Sequence, residues 1–342
     1  MAKSRFEWLT YNEPEGHLDD LVSRLCKLPG LEQQGARIAG LTYKDDSTLV
    51  RFNKLGYDNT YRYDSVTDLG LDDPCAGLES IQAALDETVA ARLAASHDLA
   101  DLLLVRHVLE HAHDPLQFLR AASKLVKPGG YLLFEMPDCT KFIRAMDYCF
   151  IWEEHITYLS PGTLARLIGS ARLSLERTLT YPFPLEDSLI GIVRNAPGKP
   201  LQTTPGRDEL IEDGRAFASG YPERMSRLQS LFSGWQRAGQ AVAVFGAGHL
   251  AAKFVNMYGL ESMIDCVIDD NPYKRTLLMP GSRLTIRGSA ELESRGIKTC
   301  LLSLSPESEQ KVRAKNQAFI ERGGRFLSIF ALSPVSVYMA EA

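Results

Sequence analysis

Two carboxylates precede an imidazole in Glu153-Glu154-His155, and Tyr158 and Ser160 follow closely. Imidazole titrates near neutral pH, and a neighbouring carboxylate orients it or raises its pKa. The pair therefore suits removal of a proton from a carbon acid or a hydroxyl. The plainer alternative is an exposed acid beside a histidine that caps a turn. A second polar group, Arg106, His107, Glu110, His111 and His113, crowds the end of an apolar run at 99–105. The spacing of His107, His111 and His113 invites a metal reading. Asp114-Pro115 starts a helix directly afterwards. The stretch is thus a turn and not one helical face, and no metal is expected.

The elements that must hold these groups have clear signatures. Residues 99–105 form the unbroken apolar run of a strand buried on both faces. Leu116, Leu119, Ala122 and Leu125 recur at helical spacing. Lys127-Pro128-Gly129-Gly130 stops that helix, and 131–136 is a second apolar strand closed by Pro137. Upstream, Leu18, Leu21, Val22 and Leu25 form the stripe of a helix, and 36–41 is a first strand. Asp46 or Ser47 caps a helix over 48–55 that Gly56 ends. Residues 58–63 make a second strand with Asp64 at its end. Leu78, Ile81, Leu85, Val89 and Leu93 spell one amphipathic helix, and a third strand has no clear place. Phe6, Trp8 and Tyr11 lie in an irregular N-terminal stretch that packs on the first domain or covers it as a lid.

Past Pro137, 138–150 reads as a helix or lid, and Ser160-Pro161 opens another helix. Residues 173–181 and 188–194 are two strands. Residues 195–206 carry three prolines and two glycines, the composition of a linker. Residues 208–238 look mostly helical. A second βαβ pattern follows: strand 241–245, turn Gly246-Ala247-Gly248, helix 249–258, and strand 263–268 ending in Asp269-Asp270. Strands at 298–304 and 325–332 flank a helix at 308–321.

The strand, polar edge, helix, Pro-Gly-Gly, strand unit of 98–137 resembles the second half of a class I S-adenosylmethionine (SAM) methyltransferase. The fold class this implies is α/β: a methyltransferase Rossmann-like domain followed by a smaller Rossmann-like domain. The expected division is a helical extension at 1–34, a methyltransferase-like domain at 35–195, and a helix plus C-terminal domain at 207–342. In such folds the first strand feeds a glycine-rich loop that meets the cofactor. Here only Gly40 survives of the usual glycines. Sugar C-methyltransferases write Gly-x-Asn-Asp-Gly at this point, and Asp45-Asp46-Ser47 stands for their Asn-Asp-Gly. Tyr43 falls where a glycine belongs, so its ring is expected to crowd the cofactor position, remodelling or abolishing SAM binding. The cofactor-binding residues implied are Gly40, Tyr43, Asp45, Asp46, Asp64, Arg106 and His107. For Asp64, the end of a strand is where such folds hold ribose hydroxyls; a turn-forming Asp is the competing reading.

The run from Glu153 to Ser160 resembles the His-Glu-His-x-x-Tyr-Phe-Ser ending of the same C-methyltransferases. That resemblance implies Glu154 and His155 as the acid/base pair, with His111 and Tyr158 as further catalytic residues. Gly246-Ala247, Asp269-x-Asn271-Pro272-x-Lys274 and Pro280-Gly281 resemble the family's C-terminal part. The family's N-terminal zinc module has no counterpart in these residues. The C-terminal domain is expected to hold the nucleotide part of a substrate or to build a homo-oligomer.

Bulk properties narrow the function further. A net charge of −5 argues against nucleic acid as the main partner, because phosphate binding needs a concentrated basic face. No long uncharged apolar segment is present, so no membrane span is expected. The first residues lack the apolar core of a signal peptide. None of the six cysteines (Cys26, Cys75, Cys139, Cys149, Cys266 and Cys300) forms a Cys-x-x-Cys pair. Scattered thiols of this kind point to a reducing cytoplasm. Three readings stay open. The first is SAM-dependent methylation of a small polar metabolite, with a nucleotide-linked sugar as the specific expectation. The second keeps the fold but performs cyclisation or elimination of SAM, or proton transfer on another ligand. The third is a non-catalytic binding protein.

Overall fold

A computed structural model describes residues 15–72, 77–198 and 206–341. Phe6, Trp8, Tyr11, Cys75 and the central part of the linker lie outside the described residues. The chain divides into two units: Glu13–Lys141 with Trp152–Leu210, and Phe142–Ile151 with Ile211–Ala342.

The first unit is built on a six-stranded sheet. Its strands are β1 (Ile38–Gly40), β2 (Thr60–Arg62), β3 (Ala100–Arg106), β4 (Val126–Asp138), β5 (Leu173–Tyr181) and β6 (Asp187–Pro197). They run in the order β2-β1-β3-β4-β6-β5, parallel from β2 to β4, with β6 antiparallel to both of its neighbours, β4 and β5. This is the doubly wound α/β arrangement expected from the resemblance. The winding reverses between β1 and β3, and a crevice at the carboxyl ends of those strands is where such sheets bind ligands.

The period-2 geometry of β3 explains its unbroken apolar run. Leu103 and Val105 join one core with Leu132, Phe134 and Met136, while Leu102 and Leu104 join the opposite core with Tyr131 and Leu133. The helix Leu18–Leu25 buries its predicted stripe in that second core.

Several local expectations need correction. The apolar positions from Leu78 to Leu93 are split between two helices, Leu78–Ala84 and Glu87–Ser96, with Leu85 at the C-cap of the first. Asp86 caps the second by accepting the amides of Thr88 and Val89, which ends a continuous reading. No strand lies between β2 and β3 among the described residues. Lys127 to Gly130 lies inside β4, where the register with β3 shifts, and the preceding helix ends earlier, at Lys124. The stretch at 138–150 holds a short helix, Thr140–Arg144, and a 3-10 turn, Tyr148–Phe150.

The second unit carries a parallel five-stranded sheet. Its strands are β7 (Ala241–Phe245), β8 (Cys266–Ile268), β9 (Ile286–Arg287), β10 (Ile297–Leu302) and β11 (Arg325–Ser328), ordered β11-β10-β7-β8-β9. The helix expected at 308–321 is two helices, Pro306–Lys315 and Gln317–Glu321. Residues Phe142–Ile151 pack within this unit. Asp147 Oδ2 accepts the amide of Ala331 at 2.8 Å, and the Tyr148 hydroxyl donates to the carbonyl of Phe217 at 2.6 Å. Cys26, Cys139, Cys149, Cys266 and Cys300 are thiols. No helix among the described residues is long and apolar enough to cross a membrane.

Candidate active site

The chain leaves β3 through His107, whose φ of 55° turns it out of the sheet. The His107 amide donates to the carbonyl of Glu135 at 2.8 Å, which pins the turn to β4. A 3-10 turn, Leu109–His111, then places Glu110 and His111 at the end of the strand. The backbone carbonyl of Glu110 accepts two amides, from Ile156 at 2.9 Å and Thr157 at 3.0 Å. Those bonds clamp the His155 segment onto the β3 edge. The rings of His111 and His155 consequently meet edge to face, with centroids 4.8 Å apart and planes at 87°.

A carboxylate stands beside these imidazoles, and it belongs to Glu110. This side chain is 2% exposed. Its Oε1 lies 3.5 Å from His107 Nδ1, and its Oε2 is buried without a hydrogen bond among the described residues. Burial pushes the carboxyl pKa up. The hydrogen bond from His107 and the charges of His107, His155 and His111 overcome that push and hold it below its ordinary value. Glu154 meets His111 differently: its backbone carbonyl accepts from His111 Nδ1 at 3.1 Å. His111 Nδ1 also lies 3.5 Å from Oε1 of the half-exposed Glu79. The Tyr158 hydroxyl donates to the carbonyl of Trp152 at 3.0 Å and accepts its amide at 2.8 Å. Tyr158 thus closes the loop that carries His155, whose ring centroid is 6.0 Å from its own.

The cofactor edge is folded in an unexpected way. Asp45, not Tyr43, fills the inside of the loop after β1. Its buried carboxylate accepts the amides of Leu41 at 2.9 Å, Thr42 at 2.8 Å and Arg106 at 3.1 Å. Tyr43 stands 50% exposed on the 3-10 turn Tyr43–Asp45, so its ring does not fill the loop. Gly40 is required by the same packing, since a Cβ there would lie 2.8 Å from Asp45 Cβ and 3.0 Å from Leu49 Cδ1. Asp46 pairs with Arg62 at 2.8 Å. Asp64 Oδ1 accepts the amides of Val66 and Thr67 and the Thr67 hydroxyl, which makes it a turn former.

Arg106 is buried and works inside the fold. Its guanidinium donates to Glu135 Oε2, the Lys44 carbonyl and Ser47 Oγ. Glu135, 1% exposed, also faces His17 Nε2 at 2.8 Å and accepts from Ser188 Oγ at 2.8 Å. Burial raises its pKa, but His17, His107 and Arg106 together drive it well below the carboxylate range. Sequence reasoning did not single out Glu110 or Glu135 as site residues. The available signal for Glu135 was a charged residue inside an apolar strand, which needs a buried partner.

In the second unit, the Gly246-Ala247-Gly248 turn is likewise closed by the protein itself. Asp269 Oδ2 accepts the Ala247 amide at 3.0 Å and pairs with Lys274 at 3.2 Å, while Lys274 also donates to the Ala247 carbonyl.

Two family models match separate parts of the chain. Residues 47–176 match the family described as "Methyltransferase domain". Residues 211–331 match the family described as "C-methyltransferase C-terminal domain". The C-methyltransferase NovU of Streptomyces niveus is 24% identical over 263 residues, covering 73% of this chain and 62% of that protein. The chain therefore spans less than two thirds of that relative. A ubiquinone biosynthesis O-methyltransferase of Paraburkholderia phymatum is 34% identical over 91 residues, 26% of this chain and 37% of that protein. Among solved structures, magnesium protoporphyrin IX methyltransferase from Synechocystis PCC 6803 with bound SAH aligns at a TM-score of 0.36. It is 14% identical and covers 52% of this chain and 81% of that one.

Proposed function

Because this chain is of the class I methyltransferase type, with a methyltransferase domain and a C-methyltransferase C-terminal domain, we propose that it methylates a small polar metabolite using SAM. The acceptor we infer is a carbon beside the carbonyl of a nucleotide-linked sugar. The observation that carries this reading is the His111–His155 pair set against the buried, ionised carboxylate of Glu110 at the carboxyl end of β3.

The residues present suit such a cofactor. A buried anion with an unpartnered oxygen, Glu110 Oε2, suits a site that must receive a cation. Asp64, just past the end of β2, would hold ribose hydroxyls. When bound, SAM supplies an electrophilic methyl group on a sulfonium.

The chain's own residues perform the proton chemistry. His155 removes the proton beside the substrate carbonyl, a contribution of roughly 10²–10⁴ in rate for a well-placed base. Glu110 offsets the charge that His155 then carries. His111, fixed by the Glu154 carbonyl, assists as a second acid/base group. Asp45 and Arg106 keep the crevice edge rigid, so donor and acceptor are held in line.

The deciding experiment incubates the full chain with SAM and a panel of nucleotide-linked keto sugars, and analyses products by mass spectrometry. S-adenosylhomocysteine with a methylated sugar is expected. Methylthioadenosine would replace the proposal with cyclisation or elimination of SAM, a reading favoured by the internal use of the Leu41 and Thr42 amides.

A further inference from the structure

We propose that Glu110, His111 and His155 form a binding site for a divalent transition-metal cation of the Zn²⁺ type. Each residue offers one donor atom, and the three atoms all lie within 4.8 Å of one another. Glu110 and His111 are 2% and 7% exposed, so these are not loose surface groups. Glu110 Oε2 is buried with no hydrogen bond among the described residues, which leaves a buried anionic oxygen in want of a cation.

The surrounding contacts are those that metal-binding side chains use. His111 Nδ1 donates to the Glu154 carbonyl. A proton on Nδ1 leaves the lone pair on Nε2, and a neutral imidazole with a lone pair is what a metal requires. Glu110 Oε1 faces His107 Nδ1 at 3.5 Å, so that oxygen has an outer partner of its own. Glu79, 3.5 Å from His111 Nδ1, adds a further negative charge nearby. Two imidazoles and one carboxylate favour Zn²⁺, Co²⁺ or Ni²⁺ over Mg²⁺ and Ca²⁺, which prefer oxygen donors throughout. In the sequence, the helix start at Asp114-Pro115 argued against a metal on His107, His111 and His113. The converging set is different, because folding brings in His155 from the turn after β4 and His113 stands exposed.

The proposal goes beyond the methyl-transfer reading and stands without it. If both hold, they exclude each other in time: a bound cation occupies the lone pairs that His111 and His155 need for protons. Zn²⁺ is then an inhibitor that a chelator reverses.

The test titrates Zn²⁺ into the metal-stripped full chain by calorimetry, with Co²⁺ absorption as a second readout. One saturable site with proton release is expected. Glu110→Gln and His155→Gln should each weaken binding by more than the roughly 10- to 100-fold that loss of an outer partner costs. His113→Ala should bind as the parent does, and circular dichroism checks that every variant is folded. No saturable binding, or binding retained in both Glu110→Gln and His155→Gln, overturns the proposal. Saturable binding by a chain that yields no methylated product leaves the metal site standing and removes only the methyl-transfer reading.

Discussion

His111 Nδ1 lies 3.1 Å from the backbone carbonyl of Glu154. The bond fixes one imidazole tautomer, and it does so without the Glu154 side chain. Glu154→Gln should therefore retain most of the parent turnover. Glu110→Gln and His155→Gln should lose about 10² or more in kcat. S-adenosylhomocysteine release, measured with the substrate identified by the product screen, gives the comparison. A Glu154→Gln variant as inactive as His155→Gln would place the Glu154 carboxylate in the chemistry and refute this assignment.

Tyr158 offers a second separation of roles. Its hydroxyl bridges the amide and carbonyl of Trp152, and burial raises the phenol pKa. Tyr158→Phe should destabilise the fold by about 1–2 kcal/mol, read from urea denaturation. The alkaline limb of the pH–rate profile should stay where it is. A shifted limb would mean that the phenol exchanges a proton with substrate.

The loop after β1 depends on one carboxylate. Asp45→Ala leaves the buried amides of Leu41, Thr42 and Arg106 without their acceptor, and should cost about 3 kcal/mol. Gly40→Ala drives a methyl against Asp45 and Leu49 and should cost about 1–3 kcal/mol. SAM affinity, measured by calorimetry on the folded variants, should fall in both. Unchanged affinity would show that the cofactor does not rely on this loop.

Stability should respond to pH through two buried acids, with opposite signs. Glu135 is held below its ordinary 4.5, so the unfolded chain takes up its proton first as pH falls. Its contribution is present above about 4.5 and is lost as pH drops towards the folded value. Asp45 is raised by burial from 3.8 to about 7. The folded chain keeps that proton longer, so stability falls as pH rises from about 4 to 7. Thermal melts should show a shallower acid limb for Glu135→Gln than for the parent. Asp45→Asn should flatten the slope between pH 4 and 7. A parent-like profile in either variant would contradict the corresponding assignment.

Much of the scaffold was legible because periodicity is local. The run at 99–105 could only be a strand buried on both faces, and it became β3. The expected 173–181 and 241–245 strands and the 249–258 helix match the structure. Asp86 escaped notice because five apolar positions from Leu78 to Leu93 keep helical phase straight through its cap. The site was legible only in its residue types. His111 and His155 were identified, but the carboxylate beside them was not. Glu110 acquires its role from a carbonyl that binds amides 156 and 157, and no spacing in the sequence encodes that closure. Tyr43 was expected to crowd the cofactor position; it stands half exposed on the 3-10 turn Tyr43–Asp45, and the inside of the loop is filled by Asp45 instead.

The excursion at Phe142–Ile151 has a consequence for biosynthesis. Phe217, Phe330 and Ala331 meet Tyr148, Phe150 and Asp147 within the second unit. On the ribosome, this ten-residue loop emerges long before the residues that cover it exist. A nascent chain paused after the linker would display Phe142, Tyr148 and Phe150 to chaperones. A gene split at the linker would likewise give two sticky fragments, and their recovery should depend on making both halves together.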